Sequence, residues 1–165
     1  MSDTVLSASK ASGQGLQFLS FTLGREEYGV DILRVQEIRS WEPVSRIPNV
    51  PAYEKGVVNL RGAIVPIIDL RERFQLGRAD YGPLTVVVVL QAIINDKTRV
   101  MGMVVDAVSD VIDIEKKDIQ AAPNFGARVS TEFITGLASV NGRMVMLLDV
   151  DKLLRLDGVD DNDET

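Results

Sequence analysis

Residues 56–74 read GVVNLRGAIVPIIDLRERF, and residues 136–154 read GLASVNGRMVMLLDVDKLL. At an offset of 80, Gly56 falls on Gly136, Gly62 on Gly142, Val65 on Val145 and Asp69 on Asp149. The apolar positions between Ile64 and Leu70 find apolar partners, the Pro66 slot aside. A second match lies upstream of each copy: GVDILRVQEI at 29–38 resembles GMVVDAVSDV at 102–111, now at an offset of 73. Two matches in the same order point to a duplicated unit of about 75 residues.

Each copy reads as a hairpin that runs into a short helix. Val57–Leu60 and Ala63–Asp69 flank an Arg61-Gly62 turn. The second copy has Asn141-Gly142 there, a strong hairpin signal because both residues tolerate positive φ. Asp69 and Asp149 stand where a helix cap belongs, and Asp69-Leu-Arg-Glu72 has capping-box spacing, with Leu70 and Phe74 on one face. Phe18–Leu23, Thr85–Leu90 and Arg99–Val105 read as further strands, while Pro43, Pro48 and Pro51 mark a loop. Composition agrees: 22 Val, 12 Ile and 16 Leu against 11 Ala favour strands over helices. The spacing predicts an all-β protein of two small β-barrels packed together, with short helical segments. The expected division is 16–82 for one barrel and 83–156 for the other, with room for strand exchange between them. Residues 1–15 and the acidic stretch 157–165, DGVDDNDET, read as loose ends.

Charge and residue usage narrow the function. The chain carries 18 basic and 24 acidic residues, a net charge of −6, and five of those acids lie in residues 157–165. That balance speaks against a nucleic-acid binder, which needs an excess of Lys and Arg facing phosphates. Residues 25–61 do hold six basic residues and Trp41, but also six acids that cancel their field. The chain has no Cys and no His, so thiol chemistry, thiolate metal sites, imidazole bases and phosphohistidine are all out of reach. DGVDDNDET lacks the order of a calcium loop, no Gly-rich phosphate loop occurs, and no pair of carboxylates is set apart by apolar surroundings. No enzyme signature, cofactor or metal site is expected. No apolar stretch is long enough to span a bilayer, and the first fifteen residues lack a signal-peptide core, so the expected location is cytoplasmic without direct membrane insertion. Protein–protein recognition remains, with Arg61 at a hairpin turn and Phe125 in a loop as candidate contacts.

The segments FTLGREEYGVDILRVQEI (21–38), RIPNVPAYEKGVVNLRGAIVPIIDLRERF (46–74) and VVDAVSDV (104–111) resemble, in order, the CheW family of bacterial chemotaxis coupling proteins. The resemblance spans roughly residues 16–156 and rests on Gly56-Val-x-Asn59-Leu60-Arg61-Gly62 followed by Pro66-x-x-Asp69-Leu70. It implies two SH3-like five-stranded barrels and a non-enzymatic adaptor that joins chemoreceptors to the histidine kinase CheA. By the same resemblance, a receptor's helical-hairpin tip docks in an apolar groove between the barrels. Ile32, Val35, Glu37 and Ile38 form one wall, Gly56 and Arg61 lie near the rim, and Val86 stands in the adjoining strand. Glu37 and Arg61 are expected to set register and to pair with each other when no receptor is bound. The segment 119–125, IQAAPNF, matches a contact through which the family and the kinase regulatory domain build rings, with Phe125 as anchor. Gln120 stands where family members often carry a basic residue. Other copies of the chain are a further expected partner. The alternative within the resemblance is a CheW-like adaptor of another, non-chemotaxis chemosensory pathway; the alternative from the residues alone is a small barrel that binds a ligand or nucleic acid.

Overall fold

In a computed structural model, residues 15–77, 81–121 and 133–154 are described. Ten strands run in chain order: β1 (Gly15–Leu23), β2 (Glu26–Asp31), β3 (Val35–Ser40), β4 (Glu54–Leu60), β5 (Ala63–Asp69), β6 (Val86–Ile94), β7 (Lys97–Val105), β8 (Ala107–Glu115), β9 (Ile134–Val140) and β10 (Arg143–Leu148). Two short helices, α1 (Leu70–Arg73) and α2 (Val150–Leu154), follow β5 and β10. Single 3-10 turns occupy Ile32–Arg34 and Lys116–Asp118.

The strands form two five-stranded sheets, β8-β1-β2-β10-β9 and β3-β6-β7-β5-β4. Each has one parallel pair, β2 with β10 and β5 with β7. Each is closed by an equivalent backbone bridge. Ser45, just after β3, exchanges hydrogen bonds with Val57 of β4; Gln120, just after β8, does the same with Leu137 of β9. Closure of this kind removes exposed sheet edges and lets each sheet curl round its own core. Hereafter barrel 1 is the sheet that contains β1, and barrel 2 is the one that contains β3.

The duplication is visible strand by strand. The hairpin β4–β5 with α1 matches β9–β10 with α2, and β2–β3 matches β7–β8. The matched aspartates both cap the helix that follows them: Asp69 accepts from the Glu72 amide and Asp149 from the Lys152 amide, each at 3.1 Å. The glycines matched at offset 73 also agree. A Cβ on Gly29 would press on Leu147, Phe18 and Val145, and one on Gly102 would lie 2.6 Å from the Ile67 side chain, so each keeps room inside its barrel.

The barrels do not follow the expected halves. β1 and β2 join β8–β10, while β6 and β7 join β3–β5, so the division at residue 82 does not separate the sheets. The reason is the order of the repeat: barrel 2 is the continuous stretch from β3 to β7, and barrel 1 is completed by the strands that precede it. Gly15 is likewise no loose end, because it opens β1 and pairs with Glu115 on the long strand β8. The stretch 157–165 lies outside the described residues.

Three cores explain why so many strands read as unbroken apolar runs. Val87 and Val89 fill barrel 2 with Leu60, Val65, Ile67 and Val104. Phe18, Ile112, Ala138, Val145 and Leu147 belong to the core of barrel 1. Val88 and Leu90, on the opposite face of β6, enter a third core that both barrels share with Phe21, Tyr28, Phe74 and Leu153. A strand buried on both faces loses its polar alternation. Within the shared core, Phe21, Tyr28, Phe74 and Phe133 form a chain of ring contacts with centroids 5.5–6.0 Å apart.

Candidate interaction surface

The candidate surface starts with the pairing of β3, an outer strand of its sheet whose ladder partner is β6. Val35 faces Leu90, Ile38 faces Val88, and Ser40 faces Val86. Residues three apart normally point to opposite sides of a strand. Here a bulge between Val35 and Glu37 inserts one extra residue and returns Val35 and Ile38 to the same side. Ile32, Val35 and Val86 pack half-buried against the shared core, and Ile38 is 45% exposed. These four residues therefore form an apolar wall on the side of barrel 2 that faces the junction with barrel 1. Leu33, missed in the sequence, follows Ile32 in the turn, borders Gln91 and Ile93 and is 77% exposed.

Glu37 and Arg39 lie on the other face of β3, opposite Val89 and Val87. Arg61, at the tip of the β4–β5 hairpin, donates a hydrogen bond to Glu37 and forms an ion pair with it, and Arg39 reaches the second carboxylate oxygen at 3.4 Å. The Arg61 hydrogen bond holds the Glu37 carboxyl below the usual glutamate range; loss of water around it pulls the other way, and the charges of Arg61 and Arg39 add to the lowering. The expected pairing of Glu37 with Arg61 is thus the geometry of the chain without a partner.

Arg61 occupies that position at a conformational cost. Its φ is +52°, the left-handed region, and Gly62 follows at +89°, with the Gly62 amide bonded to Asn59 Oδ1 at 2.9 Å. In the equivalent hairpin the residue at φ +52° is Asn141, a type that adopts this conformation readily. A bulky residue in the left-handed region costs roughly 1 kcal/mol, and such outliers collect at functional positions.

The remaining expected residues lie elsewhere. Gly56 is buried, and a Cβ there would stand 2.1 Å from the Ser45 carbonyl oxygen. The closure of barrel 2 accounts for that glycine. Gln120 is exposed and forms the closing bridge of barrel 1 through its backbone. Phe125 lies outside the described residues. Trp41 is no stacking platform: it packs on Tyr81 with ring centroids 4.5 Å apart, at the margin of the barrel 2 core. Among the described residues no group of three or more carboxylates is set to hold a metal ion, and no helix is long and apolar enough to cross a membrane.

Comparison with known proteins places this geometry. A CheW-like domain is matched over residues 17–157. The chain is 51% identical to the chemotaxis protein CheW of Klebsiella aerogenes over 148 residues, 88% of this chain and 87% of that protein. It is 37% identical to the chemotaxis protein CheW of Rhizobium meliloti, over 84% of this chain and 87% of the relative. Among solved structures, the scaffolding protein TtCheW from Thermoanaerobacter tengcongensis superposes with a TM-score of 0.74 at 30% identity, covering 82% of this chain and 84% of that one. Its two SH3-like domains correspond to the two barrels here. With the duplicated barrels, the ordered motifs and these matches in agreement, the chain belongs to the CheW-like domain family, a family of chemotaxis scaffold proteins.

Proposed function

We propose that the chain is a non-enzymatic adaptor of bacterial chemotaxis that joins chemoreceptors to the regulatory domain of the histidine kinase CheA. The observation that carries this reading is β3, which sets the apolar wall of Ile32, Val35, Ile38 and Val86 on one side and Glu37, held by the left-handed Arg61, on the other. A strand with an apolar wall on one side and an ordered ion pair on the other suits an amphipathic helical partner that lies across its edge. Burial of the wall supplies affinity, at about 25 cal/mol per Å² removed from water. The charges fix register and reject tips with the wrong pattern. The apolar face of the receptor's hairpin tip takes the wall, and polar groups of the tip exchange with the Glu37–Arg61 pair.

The kinase takes a different surface. The end of barrel 1 around Ile119 and Gln120 leads into the segment that carries Phe125, and a kinase regulatory domain docks there through that side chain. Alternation of such contacts closes rings with the kinase, or with further copies of the chain, so that modest individual affinities gain from multivalency. The adaptor works in the cytoplasm and is recruited to receptor arrays.

Calorimetric titration tests both arms. The chain should bind a CheA regulatory domain one-to-one, and Phe125→Ser should weaken that binding at least tenfold. A soluble chemoreceptor hairpin fragment should also bind, and Ile38→Asp should weaken that interaction alone by at least tenfold. Absence of binding to both partners would overturn the proposal.

A further inference from the structure

The chain crosses between the barrels at two tight connections, residues 31–35 and 105–107. The first carries part of the apolar wall. Its 3-10 turn, Ile32–Arg34, is capped by Asp31 Oδ1, which accepts from the Leu33 amide at 2.9 Å, and Ile32 and Val35 lean on the shared core. The turn is also tethered from outside its own segment. Arg34 Nη2 donates to Asp151 Oδ2 at 3.3 Å, across 117 residues of sequence.

Asp151 stands on a firm base. It belongs to α2, which follows β10 of barrel 1 yet packs on β6 and β7 of barrel 2. Val150, Leu153 and Leu154 sink the helix into the shared core, and Asp149 caps its start. The second crossing has the corresponding device. Arg71, on α1, donates to Asp106 at 2.9 Å, and Asp106 also accepts from the Gly24 amide. Arg71 and Asp151 are matched at the repeat offset of 80, so each crossing is tied to the matched position of its helix with the charges reversed, the crossing residues Arg34 and Asp106 lying one position apart at the offset of 73. A bridge from the same helix position to each crossing recurs in both halves of the duplicated fold.

We infer that Arg34 and Asp151 form a positioning pair for the receptor-binding wall: the helix of barrel 1 holds the 31–35 turn so that Ile32 and Val35 are preset for docking. This inference rests on the adaptor reading above. The two side chains keep 35% and 40% of their surface exposed, and exposed pairs contribute little to global stability. The effect belongs instead to recognition, because a wall held in its bound shape loses less freedom on docking.

The test uses the full chain with Asp151→Asn, Arg34→Gln and the exchanged pair Arg34→Asp with Asp151→Arg. Each is titrated into a chemoreceptor hairpin fragment and, separately, into a CheA regulatory domain. The two single variants should bind the receptor fragment at least threefold more weakly, with kinase-domain binding within twofold of the parent. The exchanged pair should recover most of the receptor affinity, which a lost direct contact of Arg34 with the receptor or a general loss of stability would not allow. Undiminished receptor binding by Asp151→Asn overturns the inference, and so does an exchanged pair as weak as the singles. If the parent itself fails to bind the receptor fragment, the adaptor reading falls first, and the inference falls with it.

Discussion

At residue scale, Arg61 separates what the fold wants from what the proposed recognition wants. The hairpin favours Asn at its left-handed position, as Asn141 shows in the other copy. Arg61→Asn should therefore leave stability unchanged or raise it by up to about 1 kcal/mol in urea melts, while receptor-fragment binding falls. A variant that loses stability would mean that the Glu37 pair matters more to the fold than the turn strain does. Glu37 itself should titrate below the ordinary glutamate value of about 4.3, and Arg61→Ala should raise it, as followed by the carboxyl carbon shift. A depressed carboxyl contributes stability above its unfolded value and loses it as pH falls through the folded value. The pair should accordingly be intact across neutral pH, and pH changes between about 6 and 8 should leave Glu37 charged. Glycines divide in the same physical way. Gly56→Ala meets the Ser45 carbonyl and should cost at least about 2 kcal/mol, whereas Gly62→Ala enters open space and should cost about 1 kcal/mol, from its positive φ alone. The sequence showed Gly56 as part of a motif, but the carbonyl that requires it comes from a loop eleven residues upstream, which no local pattern reveals.

At the scale of elements, the two helix caps look alike in sequence and differ in the folded chain. Asp149 accepts from the Lys152 amide and is partly exposed, while Asp69 is buried and accepts from both the Glu72 amide and the Tyr81 hydroxyl. Asp149→Ala should cost about 1 kcal/mol, the ordinary value of a cap. Asp69→Ala should cost about 2–4 kcal/mol, because Tyr81 loses a buried acceptor as well. It should also shift Trp41 fluorescence, since Tyr81 is the ring against which the single tryptophan packs. Equal costs in a denaturant series would contradict this account of the buried cap. The hairpins, both caps and the proline loop were legible from turn residues and spacing, for these signals are local. Strand β8 was harder to read, because VSDVIDIE mixes exposed acids with apolar residues at a sheet edge. The bulge that gathers Val35 and Ile38 on one side depends on its partner strand and leaves no mark in the sequence of β3.

At the scale of the whole molecule, the shared core decides how the barrels behave. The duplication announced two barrels, but strand assignment was not legible, since the same apolar runs suit either sheet and the order of repeats fixes the exchange. Because Tyr28 and Phe21 of barrel 1 pack in one cluster with Leu90 and Met103 of barrel 2, neither barrel keeps its outer face covered alone. Thermal unfolding should be a single transition, with calorimetric and van't Hoff enthalpies in agreement. Two separated transitions would show that the junction is an interface between independent domains. Under the adaptor proposal, a junction this apolar would hold the proposed receptor and kinase surfaces in one rigid relation. The most direct test of that role is co-sedimentation of purified CheA with chemoreceptor-bearing vesicles, with and without the chain. The account predicts that CheA pellets with the vesicles in proportion to added chain, and that Ile38→Asp and Phe125→Ser each abolish this recruitment. Equal pelleting of CheA in its absence, or competition between receptor and kinase for the chain, would contradict it.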